Sequence, residues 1–253
     1  MDKISAVIIA KNEEEMIGPC IKSLKFCDEI IVINNGSKDN TKELSQKLGA
    51  KVIDIITNDF SELRTLGLQK AEFDWLLYVD ADERIDEDLR NSIKEIISKN
   101  LDYSAFYLKR KNFYLGNNEW PRIEKLERLF KKDKLKGWKG MLHESPEYEG
   151  SIGILDGFIL HYTHRSLETM LAKTAQWSTT EALLRLNSNH PKMTWWRFPR
   201  VMITAFLDSF IFQQGFKVGS VGLIEATFQA YSMFLTYAKL WEMQKLKEQK
   251  LKK

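Results

Sequence analysis

The sequence is poor in the residues that build disulfide frameworks and stiff linkers, with 2 cysteines and 5 prolines among 253 residues. Cys20 and Cys27 have the spacing of neither a zinc site nor a redox motif, so we expect two free, buried thiols. Charge of one sign is also scarce, because 38 Lys and Arg against 35 Asp and Glu leave a formal net charge of +3. Such a chain lacks the basic excess with which proteins neutralise nucleic-acid phosphates. We therefore expect no nucleic-acid partner.

Long apolar runs are missing as well. The first one, Ile4 to Ala10, is followed at once by Lys11, Asn12 and three glutamates, which is not the pattern of a signal peptide. The uncharged stretch from Ala226 to Ala238 is shorter than the roughly 18 apolar residues of a transmembrane helix. These features predict a cytoplasmic protein without a bilayer-spanning helix.

Short β-branched runs alternate with helical patterns through the first eighty residues. The runs at 6–9, 30–33 and 75–79 are almost continuously apolar, as are strands covered by helices on both faces. The alternation predicts an α/β fold with a mostly parallel central sheet and flanking helices. We expect this domain to span residues 1–165 and an amphipathic helical region to span residues 166–253.

Polar residues directly follow three of the predicted strands. They are Lys11 to Glu14, Asn34 to Asp39 and Asp80 to Glu83. Because ligands of open α/β sheets bind at the carboxyl ends of the strands, these three segments predict a binding site at one edge of the sheet.

The sharpest of these signals is Asp80-Ala81-Asp82. Two carboxylates one residue apart at a strand end suit Mg²⁺ or Mn²⁺, with substrate phosphates completing the coordination shell. The alternative is that these acids are solvated turn and cap residues.

No glycine-rich phosphate loop of the dinucleotide or Walker type is present. The phosphates of a nucleotide would then have to be neutralised by a metal ion and by side-chain cations. Arg64, on the helix predicted before the Trp75 strand, can make bidentate contacts to a diphosphate. The alternative for Arg64 is an ordinary surface arginine.

Three segments taken together, 7–14, 35–39 and 77–83, resemble the family 2 glycosyltransferases, and more narrowly the branch that contains lipopolysaccharide-core glucosyltransferases. The similarity covers essentially the whole chain. It implies the A-type glycosyltransferase fold and a metal-dependent, inverting transfer of a hexose. The donor would be a nucleotide sugar such as UDP-glucose or a UDP-N-acetylhexosamine, and the acceptor a hydroxyl of a glycolipid or other saccharide of the cell envelope.

The resemblance also implies a donor site. Its residues would be Ala10, Asn12, Glu14, Asn34, Arg64, Asp80 and Ala81. Arg64 would lie near the base or the diphosphate, Asp80 near the ribose and Asp82 on the metal. Asn34 stands where the family commonly has an aspartate, and its amide brings no charge to the base.

The same resemblance implies the catalytic residues. Glu144 would be the general base, oriented by His143, with Glu147 and Glu149 as competing candidates. The other alternative is that Glu144 only pairs with a basic neighbour. His161 would be a second metal ligand, and His164 is the alternative.

Two further residues are assigned to the site. Arg128-Leu129-Phe130 resembles a segment of the same branch, and this resemblance implies that Arg128 lies at a phosphate or an acidic acceptor. Trp138 is expected at the acceptor, where an aromatic face can stack on a sugar ring, and core packing is the alternative for Trp138.

The last section of the chain combines tryptophans, apolar helical stripes and basic flanks. Trp195 and Trp196 open it, Ile203 to Ile211 and Phe228 to Ala238 carry the stripes, and lysines close it. This pattern predicts a peripheral anchor on an anionic membrane surface, and the alternative is a helical subdomain or a homo-oligomer interface. Two rival functions for the whole protein are a sugar nucleotidyltransferase and a non-catalytic, membrane-recruited relative.

Overall fold

The computed structural model describes residues 2–99, 102–140 and 144–251. The chain divides into two compact units, one formed by Met1–Lys111 with Ile123–His161 and the other by Asn112–Arg122 with Tyr162–Lys253.

The segment 112–122 was not expected in the second unit. It folds back on itself because Phe113 and Tyr114 pair with Glu119 and Asn118. The indole Nε1 of Trp120, which follows, donates to Gln213 Oε1 at 3.1 Å. The buried Trp120 thus joins this segment to a residue far along the chain, and backbone hydrogen bonds from Thr163 to Phe113 and from Leu115 to His164 add further contacts within the unit.

The strands, in chain order, are β1 (Ile4–Ala10), β2 (Glu29–Asn34), β3 (Lys51–Asp54), β4 (Trp75–Asp80), β5 (Glu83–Ile85), β6 (Ala105–Tyr114), β7 (Asn118–Glu119), β8 (Glu124–Lys131), β9 (Leu135–Lys139), β10 (Ser145–Tyr148) and β11 (Ile152–Tyr162). Within the described residues, the main sheet has the order β3-β2-β1-β4-β8-β6-β11-β5, with β7 beside β6. Strands β9 and β10 form a separate antiparallel pair.

The helices are α1 (Glu14–Ser23), α2 (Thr41–Lys47), α3 (Phe60–Lys70), α4 (Glu87–Lys99), α5 (Leu167–Asn187), α6 (Arg197–Leu207) and α7 (Ser220–Leu251). Between α6 and α7 lie a π-helical turn, Asp208–Phe212, and a 3₁₀ turn, Gly215–Val218.

The parallel half of the sheet confirms the predicted α/β fold. Strand β1 runs parallel to β2 on one side and to β4 on the other, and all seven of its residues are buried. Alternate residues of β1 enter two separate cores: Ile8 packs with Ile17 of α1, and Val7 packs with Leu63 of α3. Beyond β4 the sheet becomes antiparallel, through β8 and then β6.

The cysteines are free thiols, as predicted. Cys20 is buried on α1 and Cys27 lies half-buried beyond the end of that helix. Burial raises the pKa of both thiols, which makes them poor nucleophiles. Their role is therefore packing.

Close packing of α3 on β1 makes a specific stability prediction. A Cβ built on Gly67 would lie 2.3 Å from Val7 Cγ1, so Gly67→Ala forces the helix away from the sheet. We expect the free energy of unfolding to fall by about 1–3 kcal/mol, in spite of the better helix propensity of alanine. In Gly18→Ala, the control on α1, the new Cβ meets its nearest atom at 3.8 Å, and this variant should be neutral or stabilised by up to about 1 kcal/mol. Equal urea-unfolding midpoints for the two variants would contradict this packing.

The second unit is built on the helices α5, α6 and α7. Ser166 begins α5 with a capping box shared with Thr169, and Ala182 packs with Tyr237 and Leu240 in a small core. None of the helices in the described part of the chain combines the length and apolar composition needed to cross a bilayer.

Candidate active site

The ends of β1, β2 and β4 meet at one edge of the sheet, as the sequence predicts. Ala10 lies beside Asn34, and Ile9 lies beside Asp80. Ala10 is buried and its carbonyl accepts from the Asn35 N–H at 2.9 Å. Ala10 therefore contributes to this edge through its backbone contact with Asn35.

Asn12 and Glu14 join the segment after β1 to the segment after β2. Asn12 N–H donates to Ser37 Oγ at 3.0 Å, and Asn12 Oδ1 accepts from the Lys38 N–H at 2.8 Å. Glu14 Oε2 accepts from both nitrogens of Asn40, at 3.1 and 2.9 Å. Both predicted donor-site side chains thus shape the rim of the site through neighbouring protein groups.

The amide of Asn34 has its orientation set by two neighbours. Its Nδ2 donates to Asp54 Oδ1 at 2.7 Å, and its Oδ1 accepts from the Ser37 N–H at 3.3 Å. The next residue, Asn35, makes a two-way contact with the Thr57 backbone, donating to its carbonyl and accepting from its N–H. The sequence analysis includes Asn35 in the polar segment after β2 but gives it no role of its own.

Arg64 is the residue on which the site converges. It is buried on α3, its Nε donates to Glu144 Oε1 at 2.7 Å, and its Nη2 donates to Asp80 Oδ1 at 3.2 Å. The ring of Trp138 lies 4.9 Å from the guanidinium carbon. Burial lowers the pKa of Arg64, but the carboxylates of Asp80 and Glu144 outweigh burial and hold this pKa above its ordinary value. Arg64 is not the surface arginine of the alternative interpretation.

One donor of Arg64 stands apart from these contacts. Its Nη1 is buried and has no hydrogen-bond partner among the described residues. A buried donor without an acceptor costs about 1–3 kcal/mol, so a charged N–H left in this state is a candidate contact for a ligand.

Asp80 is braced from a second side by Arg128. Arg128 Nη2 donates to Asp80 Oδ2 at 2.8 Å. Burial raises the pKa of Asp80, but Arg128 and Arg64 together hold this pKa below its usual range. Asp80 is therefore ionised at neutral pH. Arg128, expected at a phosphate or an acidic acceptor, is paired with this carboxylate and lies 3.6 Å from Glu83 Oε1.

A pair of charges behind Asp80 was not found by sequence reasoning. Glu83 is fully buried, accepts from the Asp80 backbone N–H at 2.9 Å, and accepts from Arg110 Nη1 at 2.9 Å. Arg110 also binds Glu124. Glu83 was noticed as part of the acidic segment, whereas nothing in the Lys109-Arg110-Lys111 run distinguishes Arg110 from a solvated charge.

Asp82 and His161, the two predicted metal ligands, lie together. Asp82 follows β4, and His161 on β11 is in register with Glu83 on β5. Asp82 Oδ2 is 3.5 Å from His161 Nε2. Across residues 2–99, 102–140 and 144–251, no group of three or more His, Cys, Asp or Glu side chains is arranged to hold a metal ion. The alternative ligand, His164, belongs to the second unit, where its Nδ1 lies 2.8 Å from Glu225 Oε2.

The predicted base, Glu144, is largely buried against Arg64. Its competitors are engaged elsewhere, because Glu147 pairs with Lys139 and Glu149 pairs with Lys136. His143 lies outside the described residues.

Trp138 is held by aromatic neighbours. Its ring packs edge-on against Tyr78 and Phe130, with centroids 5.0 and 5.7 Å apart, and its side chain belongs to the core on the α3 side of the sheet. Trp138 is therefore a core residue, which is the alternative to acceptor stacking. Its ring also packs against the Arg64 guanidinium.

The matched part of the chain carries this whole constellation. The family model described as "Glycosyl transferase family 2" matches residues 5–150, a span that contains Arg64, Asp80, Asp82 and Glu144. The chain belongs to glycosyl transferase family 2. The resemblance seen in the sequence motifs is confirmed, and the transferase has the α/β fold expected of an A-type member.

Two relatives extend the similarity of this family 2 glycosyltransferase beyond residue 150. An uncharacterized glycosyltransferase of Rickettsia typhi is 32% identical over 259 residues, which cover 96% of this chain and 88% of that protein. The lipopolysaccharide core biosynthesis glycosyltransferase LpsC of Rhizobium meliloti is 27% identical over 257 residues, covering 96% of this chain and 94% of LpsC. Nearly the full length of each relative is therefore represented here.

Two solved structures resemble the transferase at low sequence identity. Staphylococcus aureus TarS in complex with UDP-GlcNAc aligns with a TM-score of 0.48 and 14% identity, over 95% of this chain and 88% of TarS. Glucosyl-3-phosphoglycerate synthase from Mycobacterium tuberculosis, in complex with Mn²⁺ and UDP-glucose, aligns with a TM-score of 0.46 and 18% identity, over 76% of this chain and 80% of that one.

Proposed function

We propose that this family 2 glycosyltransferase moves a hexose, with inversion, from a uridine-diphosphate sugar such as UDP-glucose or a UDP-N-acetylhexosamine to a hydroxyl of a lipid-linked saccharide. The observation that carries the proposal is the buried guanidinium of Arg64, which contacts both Asp80 and Glu144. The Arg64 side chain thereby connects two parts of the proposed site. One is the end of β4, where the nucleotide would bind, and the other is the Glu144 carboxylate, which is the proposed general base.

The donor diphosphate would be held by side chains rather than by a glycine-rich loop. Arg64 offers its unpartnered Nη1, and a guanidinium binds phosphate oxygens through strong, charge-assisted hydrogen bonds. Asp80, kept ionised by Arg128 and Arg64, would accept from the ribose hydroxyls. These two contacts orient the donor with its phosphates toward Asp82.

Asp82 and His161 fit a divalent cation. Two neighbouring ligands of an octahedral ion, each bonded at about 2.1 Å, lie about 3 Å apart, and the observed separation of the two donor atoms is 3.5 Å. A carboxylate oxygen with an imidazole nitrogen suits Mn²⁺, and Mg²⁺ is the alternative. The bound ion would supply neutralisation of the charge that develops on the leaving diphosphate.

Glu144 would act as the general base. Its carboxylate would take the proton of the acceptor hydroxyl as the hydroxyl oxygen attacks the anomeric carbon, opposite the departing diphosphate. The contact to Arg64 engages Oε1, and a carboxylate has further acceptor capacity on its second oxygen. Arg64 thus fixes the direction of Glu144 without removing its ability to accept a proton.

The acceptor is proposed to be a lipid-linked saccharide such as a lipopolysaccharide core. Support comes from the similarity to LpsC, which is named for lipopolysaccharide core biosynthesis and matches over 96% of this chain. Because a lipid-linked acceptor stays at the bilayer surface, the transferase would work as a peripheral protein on the inner face of the cytoplasmic membrane.

A nucleotide panel tests the donor. A ligand that binds only the folded state, present at 100 times its Kd, adds about 2.7 kcal/mol of stability. The nucleotide that the site recognises should therefore raise the melting temperature most. We expect this nucleotide to be UDP with Mn²⁺ rather than ADP, GDP or CDP. Arg64→Lys should weaken this effect by removing the forked donor. Stabilisation by GDP in place of UDP would change the proposed nucleobase of the donor from uracil to guanine. Equal stabilisation by all four nucleotides would remove nucleobase recognition from the proposal.

The reaction products distinguish the proposal from its rivals. Incubation of a UDP-sugar with an acceptor should release UDP, whereas a sugar nucleotidyltransferase would form or consume pyrophosphate. A protein that binds UDP and turns over neither substrate would be the non-catalytic relative.

A further inference from the structure

Helix α6 is apolar and only partly covered. Its sequence is RFPRVMITAFL, and none of its eleven residues, all of which the structure describes, is fully buried. Phe198 and Val201 pack against the small core that contains Tyr237 of α7, so one side of the helix is covered within its own unit. Apolar residues elsewhere on α6 stay exposed, and a helix with so much apolar surface normally packs that surface against a partner.

Five exposed apolar residues lie close together in the sequence of this region. Ile203, Leu207 and Ile211 follow one another at four-residue intervals, which places them on one side of the helix, and Ile203 is 58% exposed. Phe212, which is 77% exposed, and Phe216 in the 3₁₀ turn, which is 49% exposed, follow them along the chain. We call these five residues the α6 apolar face.

Tryptophan and arginine flank the first end of this face. Trp195 is 82% exposed, and the guanidinium carbons of Arg197 and Arg200 lie 5.4 and 5.9 Å from the ring of Trp196. Tryptophan and arginine side chains have an apolar body and a polar end, so this combination suits the boundary between water and hydrocarbon.

Basic residues outnumber acidic ones in this region. Residues 192–224 contain four basic residues, Lys192, Arg197, Arg200 and Lys217, and one acidic residue, Asp208. Lys192 is paired with Glu248 at 2.7 Å, so the basic residues offered to a ligand are Arg197, Arg200 and Lys217. Asp208 Oδ2 accepts a hydrogen bond from Gln213 Nε2 at 2.7 Å.

We propose that the α6 apolar face, with its basic and tryptophan flanks, docks on the surface of an anionic lipid bilayer. The apolar side chains would enter the boundary between headgroups and acyl chains, and the basic residues would contact lipid phosphates. A second copy of the chain fits less well, because the same face on both copies of a symmetric dimer would bring two sets of arginines into one interface. The inference concerns the membrane location of the proposed function and is independent of the donor, the metal and the base.

Another exposed apolar set in the same unit supplies the contrast. Helix α5 has exposed leucines, among them Leu171, but their neighbours are the mixed charges Glu168, Lys173, Glu181 and Arg185. Leu171 and Ile211 have the same 47% exposure. The two residues are therefore matched in exposure, but Ile211 belongs to the α6 apolar face and Leu171 belongs to helix α5.

Cosedimentation with vesicles tests the docking surface. The full chain should bind phosphatidylcholine vesicles that contain about one-quarter phosphatidylglycerol, and should bind pure phosphatidylcholine vesicles much more weakly. Arg197→Ala and Arg200→Ala should each lower the affinity for the anionic vesicles by about 5-fold. Ile211→Glu should reduce binding by about 10-fold or more, because it removes an apolar contact and adds a repelled charge. Leu171→Glu should bind as the wild type does. Melting curves identify any variant that has lost its fold, and Ile203→Ser is the milder replacement if Ile211→Glu has done so.

The outcomes separate this inference from the proposed reaction. Wild-type protein that releases UDP from a UDP-sugar but stays in the supernatant would overturn the docking surface and leave the reaction standing. Equal losses for Ile211→Glu and Leu171→Glu would also overturn it. So would light scattering that shows a dimer dispersed by Ile211→Glu, because the face would then be covered by a second copy. Vesicle binding without UDP release would remove the reaction and keep the surface.

Discussion

Glu144→Gln should bind the nucleotide sugar and lose glycosyl transfer by about 10²- to 10⁴-fold, the usual contribution of a general base. The glutamine is nearly isosteric and cannot take the proton of the acceptor hydroxyl. Its carbonyl can still accept from Arg64 Nε, the partner that lies 2.7 Å from Glu144 Oε1. The loss should therefore appear in kcat, measured by a coupled assay for released UDP. The Kd for UDP, measured by calorimetry, should change little.

The competing carboxylates are the controls for this experiment. Glu147→Gln and Glu149→Gln remove the same charge from residues paired with Lys139 and Lys136, so both variants should retain most of the wild-type rate. A decrease of less than tenfold for Glu144→Gln, together with a large decrease for either control, would move the base to that residue. Loss of UDP binding in Glu144→Gln would instead show that its charge is needed to keep Arg64 in place.

Much of the donor side of this site could be predicted because it depends on local pattern. Parallel strands bring their carboxyl ends to one edge, so Asn34, Asp80 and the residues that follow them had to converge once the strands were recognised. Helix caps are local in the same sense: at the start of α4, Asp86 Oδ1 accepts from the N–H of Leu89, three residues on, at 2.8 Å.

The partners of these residues could not be predicted in the same way. Arg64 and Glu144 are 80 residues apart, and their contact depends on how the β9–β10 pair packs beside α3. Arg110 contacts the buried Glu83 from an antiparallel strand. The alternation of apolar and polar residues along that strand resembles the pattern of a half-exposed strand at the edge of a sheet. Long-range pairing of this kind has no short-range sequence signal, because it arises from tertiary packing.

The exposed α6 face shows a different limit. The apolar spacing through Ile203, Leu207 and Ile211 predicts an amphipathic helix, and α6 together with the π-helical turn after it is that helix. The pattern alone is the same for a core helix, a dimer interface and a membrane anchor. Burial is the quantity that decides between a core and a surface, and here the structure leaves the face exposed.

Asp82→Asn should abolish metal-stimulated turnover, with a decrease of at least about 100-fold, and leave the fold intact. Asp82 Oδ2 and His161 Nε2 are 3.5 Å apart, and replacement of the carboxylate by an amide removes the anionic ligand that a hard divalent cation prefers. His161→Ala should weaken Mn²⁺ binding as well, by a smaller factor because a neutral ligand is lost.

Asp86→Asn is the matched control for Asp82→Asn. It removes a carboxylate four residues after Asp82, but asparagine caps a helix about as well as aspartate, so activity and stability should both be retained. Mn²⁺ affinity, followed by electron paramagnetic resonance in the presence of UDP, supplies a readout besides activity. Asp82→Asn protein that binds Mn²⁺ with wild-type affinity would remove Asp82 from the metal site. Full turnover in the presence of a chelator would remove the metal from the reaction, while the assignment of Glu144 would stand on its own test.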